Sequence, residues 1–215
     1  MSRQNRVAPT GAIEAIPARG TLMGNRGILH DERQTLGTAR WRHRNWVTCL
    51  LEFKNRKRPI MAPRRYTELF FMDEAVALAA GHRPCCECRR PDYQTYREAF
   101  ARGNGLDALP SAKEMDALLH AARAVPRRAL LQRFEAPLGT LPDGTFLSTR
   151  GADGEEPALW WQGQLLPWHP EGYDPPRRPP ATRAPVTVLT PRPTVRALAA
   201  GYRPRLHPSA ARPLS

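Results

Sequence analysis

Apolar positions along this chain come in short bursts, and the bursts follow two periods. Residues 46–53 (WVTCLLEF), 66–71 (YTELFF), 160–168 (WWQGQLLPW) and 186–189 (VTVL) mix aromatic, aliphatic and β-branched side chains over strand lengths. GTLM at 20–23 and GTFL at 144–147 read as strands opening after glycine turns. Residues 73–81 (DEAVALAAG) switch to helical composition, with Asp73 placed to cap the N-terminus and Gly81 to end the helix in a left-handed conformation. A matching helix is expected from Pro193 and Thr194 to a stop at Gly201. Two more helices are predicted at 91–103 (PDYQTYREAFARG) and 111–124 (SAKEMDALLHAARA). In the second, Ser111 and Glu114 have capping-box spacing, and Met115, Leu118 and Leu119 make the apolar face, with His120 beside it as a packing or surface residue. Residues 169–185 are proline-rich and read as an extended loop or a strap over the surface. The class is α+β.

The elements repeat in order. GTLMGNRG (20–27) resembles GTFLSTRG (144–151). Trp46, Leu50, Leu51 and Phe53 have the spacing of Trp161, Leu165, Leu166 and Trp168. Finally, residues 66–84 face residues 186–204, ending in AAGHRP and AAGYRP. Three blocks in one order predict two tandem strand-plus-helix modules, 18–91 and 136–208, separated by a helical insert at 92–135.

Charge adds an expectation about partners. The formal net charge is +13, nearly all from arginine. Such a surface favours polyanions, with nucleic acid first and DNA ahead of RNA. Lys54, Arg56, Lys57, Arg58, Arg89 and Arg90 are the expected phosphate contacts, which would position a nucleic acid without reading its sequence. No run of 18 apolar residues occurs, and the first twenty residues lack the apolar stretch of a secretory signal, so a cytoplasmic protein with no membrane contact is expected.

The cysteines carry the chemistry. Of four, three lie at 85, 86 and 88, and the other is Cys49. Cys85 and Cys88 have the C-x2-C spacing that brings two thiolates to one metal ion, zinc first. Cys49, at the end of an expected strand, is the best third ligand and His30 the best fourth, a Cys3His set. His82 stands opposite Tyr202 and reads as an aromatic packing position. In the second module Arg205, Pro208, Gln164 and Gly154 stand opposite Cys85, Cys88, Cys49 and His30, so the ligands mark a site that one module alone carries. Cys86 is set aside because adjacent side chains point apart.

The run FFMDEAVALAAGHRPCCECRRPD (70–92) resembles the end of the zinc-binding N-terminal domain of the Ada DNA-repair proteins: a strand, a short alanine-rich helix, then AAG-aromatic-RPC-x-x-CRP. The likeness covers residues 70–91. It implies an Ada-like module with structural zinc on Cys85 and Cys88. In that family an earlier C-x3-C pair completes the site and one of its cysteines takes a methyl group from a DNA phosphotriester. Here that pair is missing and Cys49 stands alone, so methyl transfer is not implied. GNRGILH (24–30) resembles the GN-containing strand and upstream histidine of related zinc modules that accompany nucleases, which favours His30.

Other readings stay open beside this zinc-binding, nucleic-acid-binding one. His30-Asp31-Glu32 with Pro84-Cys85-Cys86-Glu87-Cys88 has the letters of a zinc deaminase, although 32–46 lacks the periodicity of the helix that chemistry needs. Asp31, Glu32, Glu52 and Glu68 could serve a metal-dependent hydrolase. A redox dithiol and a protein-interaction module built on the proline-rich strap complete the set. Trp160 and Trp161 are either base-stacking or core residues. No G-x-S-x-G, HExxH or phosphate-loop motif occurs, and no residue is assigned a catalytic role.

Overall fold

Alternation of buried and half-buried residues along short strands builds the part of the protein that matters for the site. The structure, a computed structural model, describes residues 2–55, 59–125, 131–151, 154–179 and 181–211. Among these, β1 (Arg6–Val7), β2 (Ile13–Glu14), β3 (Leu22–Asn25), β4 (Val47–Leu50), β5 (Leu69–Phe71) and β6 (Arg83–Pro84) form one sheet in the order β2-β1-β5-β3-β4-β6. The second sheet has β7 (Phe134–Pro137), β8 (Thr145–Gly151), β9 (Gly154–Trp161), β10 (Gln164–His169), β11 (Gly172–Tyr173) and β12 (Pro185–Val188), in the order β11-β10-β9-β8-β12-β7. Helices α1 (Glu74–Ala79), α2 (Arg90–Gly103), α3 (Ala112–Arg123) and α4 (Arg192–Ala199) complete an α+β fold. No helix among the described residues is long and apolar enough to cross a membrane.

Local signals are met at the helix ends. The Asp73 carboxylate accepts from the Val76 amide at 2.9 Å, and Ser111 and Glu114 form both arms of a capping box. Gly81 and Gly201 close α1 and α4 at φ +83 and +102, with His82 N donating to Ala77 O and Tyr202 N to Ala197 O. On α3, Met115 and Leu119 are buried, whereas Leu118 is exposed.

Other expectations are corrected. WWQGQLLPW is not one strand. Gln162 and Gly163 take φ +49 and +76 and turn β9 back into β10, so that Leu165 pairs with Trp160. Two successive positive φ values suit a two-residue hairpin. The Trp46 and Trp161 blocks are therefore not equivalent: Trp46 precedes β4, while the segment after Trp161 crosses a turn. The other two blocks occupy corresponding places, with β5-β3-β4 followed by α1 and β12-β8-β9 followed by α4, all antiparallel neighbours. The proline-rich strap pairs back on β10 through β11 and through Arg177 on Leu165.

The largest apolar cluster joins both sheets: Leu22, Leu69, Phe71 and Val76 pack with Phe146, Leu159, Leu166 and Leu189. Helices α2, α3 and α4 share a second cluster around Tyr96, Phe100, Met115 and Leu198. On the first sheet, Leu22, Gly24, Thr48, Leu69 and Phe71 face the core, while Met23, Cys49 and Phe70 are half-buried on the opposite face. This is the period-2 alternation of a pleated strand.

Candidate metal centre

That outer face carries the site. Met23 pairs with Cys49 on one side and Phe70 on the other, so the three side chains stand in a row across β4, β3 and β5. β6 runs parallel to β4, pairing Thr48 with Pro84, and Cys85 N donates to Thr48 O at 2.9 Å. The next residue on each strand is therefore a cysteine, and the turn after Cys85 returns Cys88 to the same place. The sulfurs of Cys49, Cys85 and Cys88 lie within 4.8 Å of one another. Thiolates bound tetrahedrally to one zinc ion at about 2.3 Å would stand roughly 3.8 Å apart, which is within that limit. Backbone amides support it: Glu87 N donates to Cys85 Sγ at 3.4 Å, and the Leu50 backbone hydrogen-bonds Cys88. The three thiols hydrogen-bond to one another. The Cys85 thiol is pushed down because Cys49 and Cys88 donate to it, and Cys49 is pushed up by its bonds to Cys85 and Cys88 and by burial.

The platform beneath is built on buried ion pairs. Arg83 makes a bidentate pair with Asp116 at 2.8 and 2.7 Å, both buried. Arg89 donates to Glu74 at 2.7 Å, Asp92 at 3.0 Å and Thr48 at 2.9 Å. The cysteine turn is thus held between two arginines with satisfied guanidinium groups.

His30, the expected fourth ligand, is not with the cysteines. It is buried, with Nδ1 2.7 Å from Thr67 Oγ1 and Nε2 3.3 Å from Ala62 O, and it ties the 29–36 loop to the 62–67 segment. Asp31 caps a local turn through the amides of Arg33 and Thr35, and no helix follows, so the deaminase constellation does not assemble. Cys86 is exposed and outside the sulfur cluster. His82 packs 5.4 Å from Trp46 and 4.7 Å from Phe71, the packing role expected of it. His120 stacks edge-on against Trp41 and Trp46.

Among the expected phosphate contacts, Arg89 is 2% exposed and committed to carboxylates, which removes it from the surface set. Lys54 and Arg90 are exposed. Arg56, Lys57 and Arg58 lie outside the described residues.

Beside the cysteines opens a cleft of about 620 Å³ bordered by Met23, Phe53, Tyr66 and Phe70 and by the carboxylates of Glu52, Glu68 and Glu87. Glu68 is buried and accepts from Met61 N at 2.7 Å. Among the described residues no fourth His, Cys, Asp or Glu joins the three sulfurs. Three ligands from the chain and a fourth position beside a cleft is the pattern of a metal open to exchange; structural zinc sites are closed by four. Glu52 and Glu68 were nameable from sequence as carboxylates, but their place in the cleft comes from the loops beside β4 and β5.

Compared with known proteins, the chain matches no family model, no curated protein and no solved structure.

Proposed function

We propose that the protein binds one zinc ion through Cys49, Cys85 and Cys88 and leaves the fourth coordination position to a ligand in the adjoining cleft. The observation that carries this reading is the approach of three sulfurs to within 4.8 Å on the wall of that cleft. Soft donors in a tetrahedral set favour zinc among the abundant divalent ions, and the Ada-like run around Cys85 and Cys88 supports the same choice. Bound there, zinc would act as a Lewis acid toward whatever completes its shell. The open position makes a zinc-dependent enzyme or a ligand-binding protein a better account than a purely structural knot. Nucleic-acid contact is a second reading, supported by the net charge of +13 and by exposed Arg42, Arg44 and Arg90.

The test is metal content of protein purified without a chelating tag, for wild type, Cys49→Ser, Cys88→Ser and His30→Ala. The expected result is one zinc per chain in wild type and His30→Ala, and loss from both cysteine variants. Metal-free wild type under reducing conditions, or loss of zinc from folded His30→Ala with retention in Cys49→Ser, would overturn the assignment.

A further inference from the structure

Residues 40–44 (RWRHR) carry three arginines in five positions, and no acidic residue occurs in the chain between Glu32 and Glu52. The main chain of this loop is pinned. Arg42 N donates to Arg26 O at 2.7 Å, Trp46 Nε1 donates to His43 O at 2.8 Å, and the Arg123 guanidinium donates to Arg44 O. The side chains of Arg42 and Arg44 are left exposed, and neither has an ion-pair partner among the described residues. Two more cations lie beneath. Arg26 and Arg123 are fully buried, and their guanidinium groups donate to the carbonyls of Gly11, Ala80, Gly81 and Arg44 and not to a carboxylate. Burial lowers the pKa of each to about 9, with Asp116 opposing it at Arg123, so both stay charged at neutral pH. Asp116 is itself held by Arg83 at 2.7 Å, which matches its charge already. Buried cations cost stability and act on the surface above them through a medium of low dielectric. Arginine accumulated by composition alone stays in water; these two do not. Trp41 stands between the arginines, half-buried, edge-on to His120 at 5.7 Å and tilted against Trp46 at 6.0 Å. Those contacts fix the orientation of an aromatic residue that is still partly exposed.

We infer that the 40–44 loop is the seat of a single-stranded nucleic acid, with Arg42 and Arg44 on its phosphates and Trp41 against a base, a deduction that rests on the second reading above. Exposed arginines beside an oriented aromatic ring are the means by which a strand is gripped without reading its sequence. The buried pair, Arg26 and Arg123, adds long-range attraction without a contact of its own. A duplex keeps its base faces covered and gives Trp41 no partner, so the single strand is the better fit.

The experiment measures fluorescence anisotropy of a labelled single-stranded DNA of about 16 nucleotides, and of its duplex, with full-length protein over a salt series. Wild type is compared with the double variant Arg42→Ala, Arg44→Ala and with Arg178→Ala, Arg183→Ala, which removes the same charge from exposed positions of the second half. The first double variant is expected to lose about tenfold or more in affinity at low salt, with a salt slope smaller by about 1.4 for two phosphate contacts at about 0.7 each. The second is expected to stay within about threefold of wild type, as befits charges away from the contact. Trp41→Ala should weaken the single strand more than the duplex, and Trp41→Phe should restore most of that loss. Equal losses in the two double variants, a duplex bound as tightly as the single strand, or inorganic polyphosphate bound as tightly as the oligonucleotide overturn the inference. Wild type that binds no nucleic acid even at low salt overturns the nucleic-acid reading itself, whereas wild-type binding that survives Arg42→Ala, Arg44→Ala overturns this inference alone.

Discussion

Trp46 is fully buried and carries two guanidinium groups, Arg26 at 4.4 Å and Arg123 at 4.1 Å from its ring. Both arginines donate to backbone carbonyls, among them Gly11, Ala80 and Gly81. Burial lowers the pKa of each to about 9. His82 packs on the same indole, and burial, then Arg26 and Arg123, hold its pKa well below the usual histidine range. His43 and His120 shift the same way, also chiefly by burial. A histidine held neutral binds fewer protons folded than unfolded once the pH drops below the unfolded value of about 6.5. Its contribution is therefore complete above that pH and is lost as the pH falls through and below it. Asp73, pushed up by burial, works in the opposite direction, and only where carboxylates titrate. Unfolding free energies from urea titrations should hold nearly level from about pH 7.5 to 6.5 and fall below that, the slope approaching about 1.4 kcal/mol per pH unit for one histidine kept neutral. His82→Phe keeps the aromatic packing and should flatten that slope; an unchanged slope would remove His82 as its source. At this scale the cysteine pair was legible because two thiols at C-x2-C spacing need no partner to be recognised. Arg89 was not, because its carboxylate partner Glu74 sits on another element and only the fold brings it to 2.7 Å. His30 failed for the same reason, since a loop decides where its ring goes.

Gly103 shows how an element is fixed by what it lacks. It ends α2 where that helix crosses α4, and a Cβ there would stand 2.1 Å from the carbonyl oxygen of Arg196. The obstruction is helix backbone, which cannot swing aside as a side chain could. Gly103→Ala should therefore push α2 from α4 and cost about 1–3 kcal/mol, read as a lower denaturant midpoint at unchanged slope. A shift under about 0.5 kcal/mol would mean that the two helices do not depend on this close approach. Helix ends were readable from sequence because caps are local: Asp73, the Ser111–Glu114 pair and the glycines at 81 and 201 act on neighbours a few residues away. The two-residue strands β1, β2, β6 and β11 were not, since two residues display no period. The β9–β10 hairpin escaped because its turn is Gln162-Gly163, without the asparagine or aspartate that usually announces a positive first φ.

On the scale of the whole molecule, the first half is held by the second. The Asp73 carboxylate accepts from Tyr173 OH at 2.8 Å and His207 N at 3.0 Å. Glu74 accepts from Tyr202 OH at 2.5 Å and Arg205 N at 3.0 Å. The Asp-Glu pair that opens α1 is thus satisfied by residues a hundred or more positions away, and the apolar cluster above it draws on both sheets. The α+β class could be read from element types, but the shared core could not. Repeated motifs suggest modules with a core each, whereas Phe71 and Phe146 belong to one cluster. A core common to both sheets makes unfolding all-or-none. Urea denaturation followed by far-UV circular dichroism and by tryptophan fluorescence, which samples Trp46 in one half and Trp160 in the other, should give one coincident transition. Saturating zinc should move that whole transition upward, by about 2.7 kcal/mol at a hundredfold excess over the dissociation constant. The metal stabilises the half that contains Cys49, Cys85 and Cys88, but neither half can unfold alone without exposing Leu69, Phe71, Phe146 and Leu159 and stranding the buried Asp73 and Glu74 carboxylates. Two separated transitions, with zinc shifting only one of them, would show that the halves behave as independent modules after all.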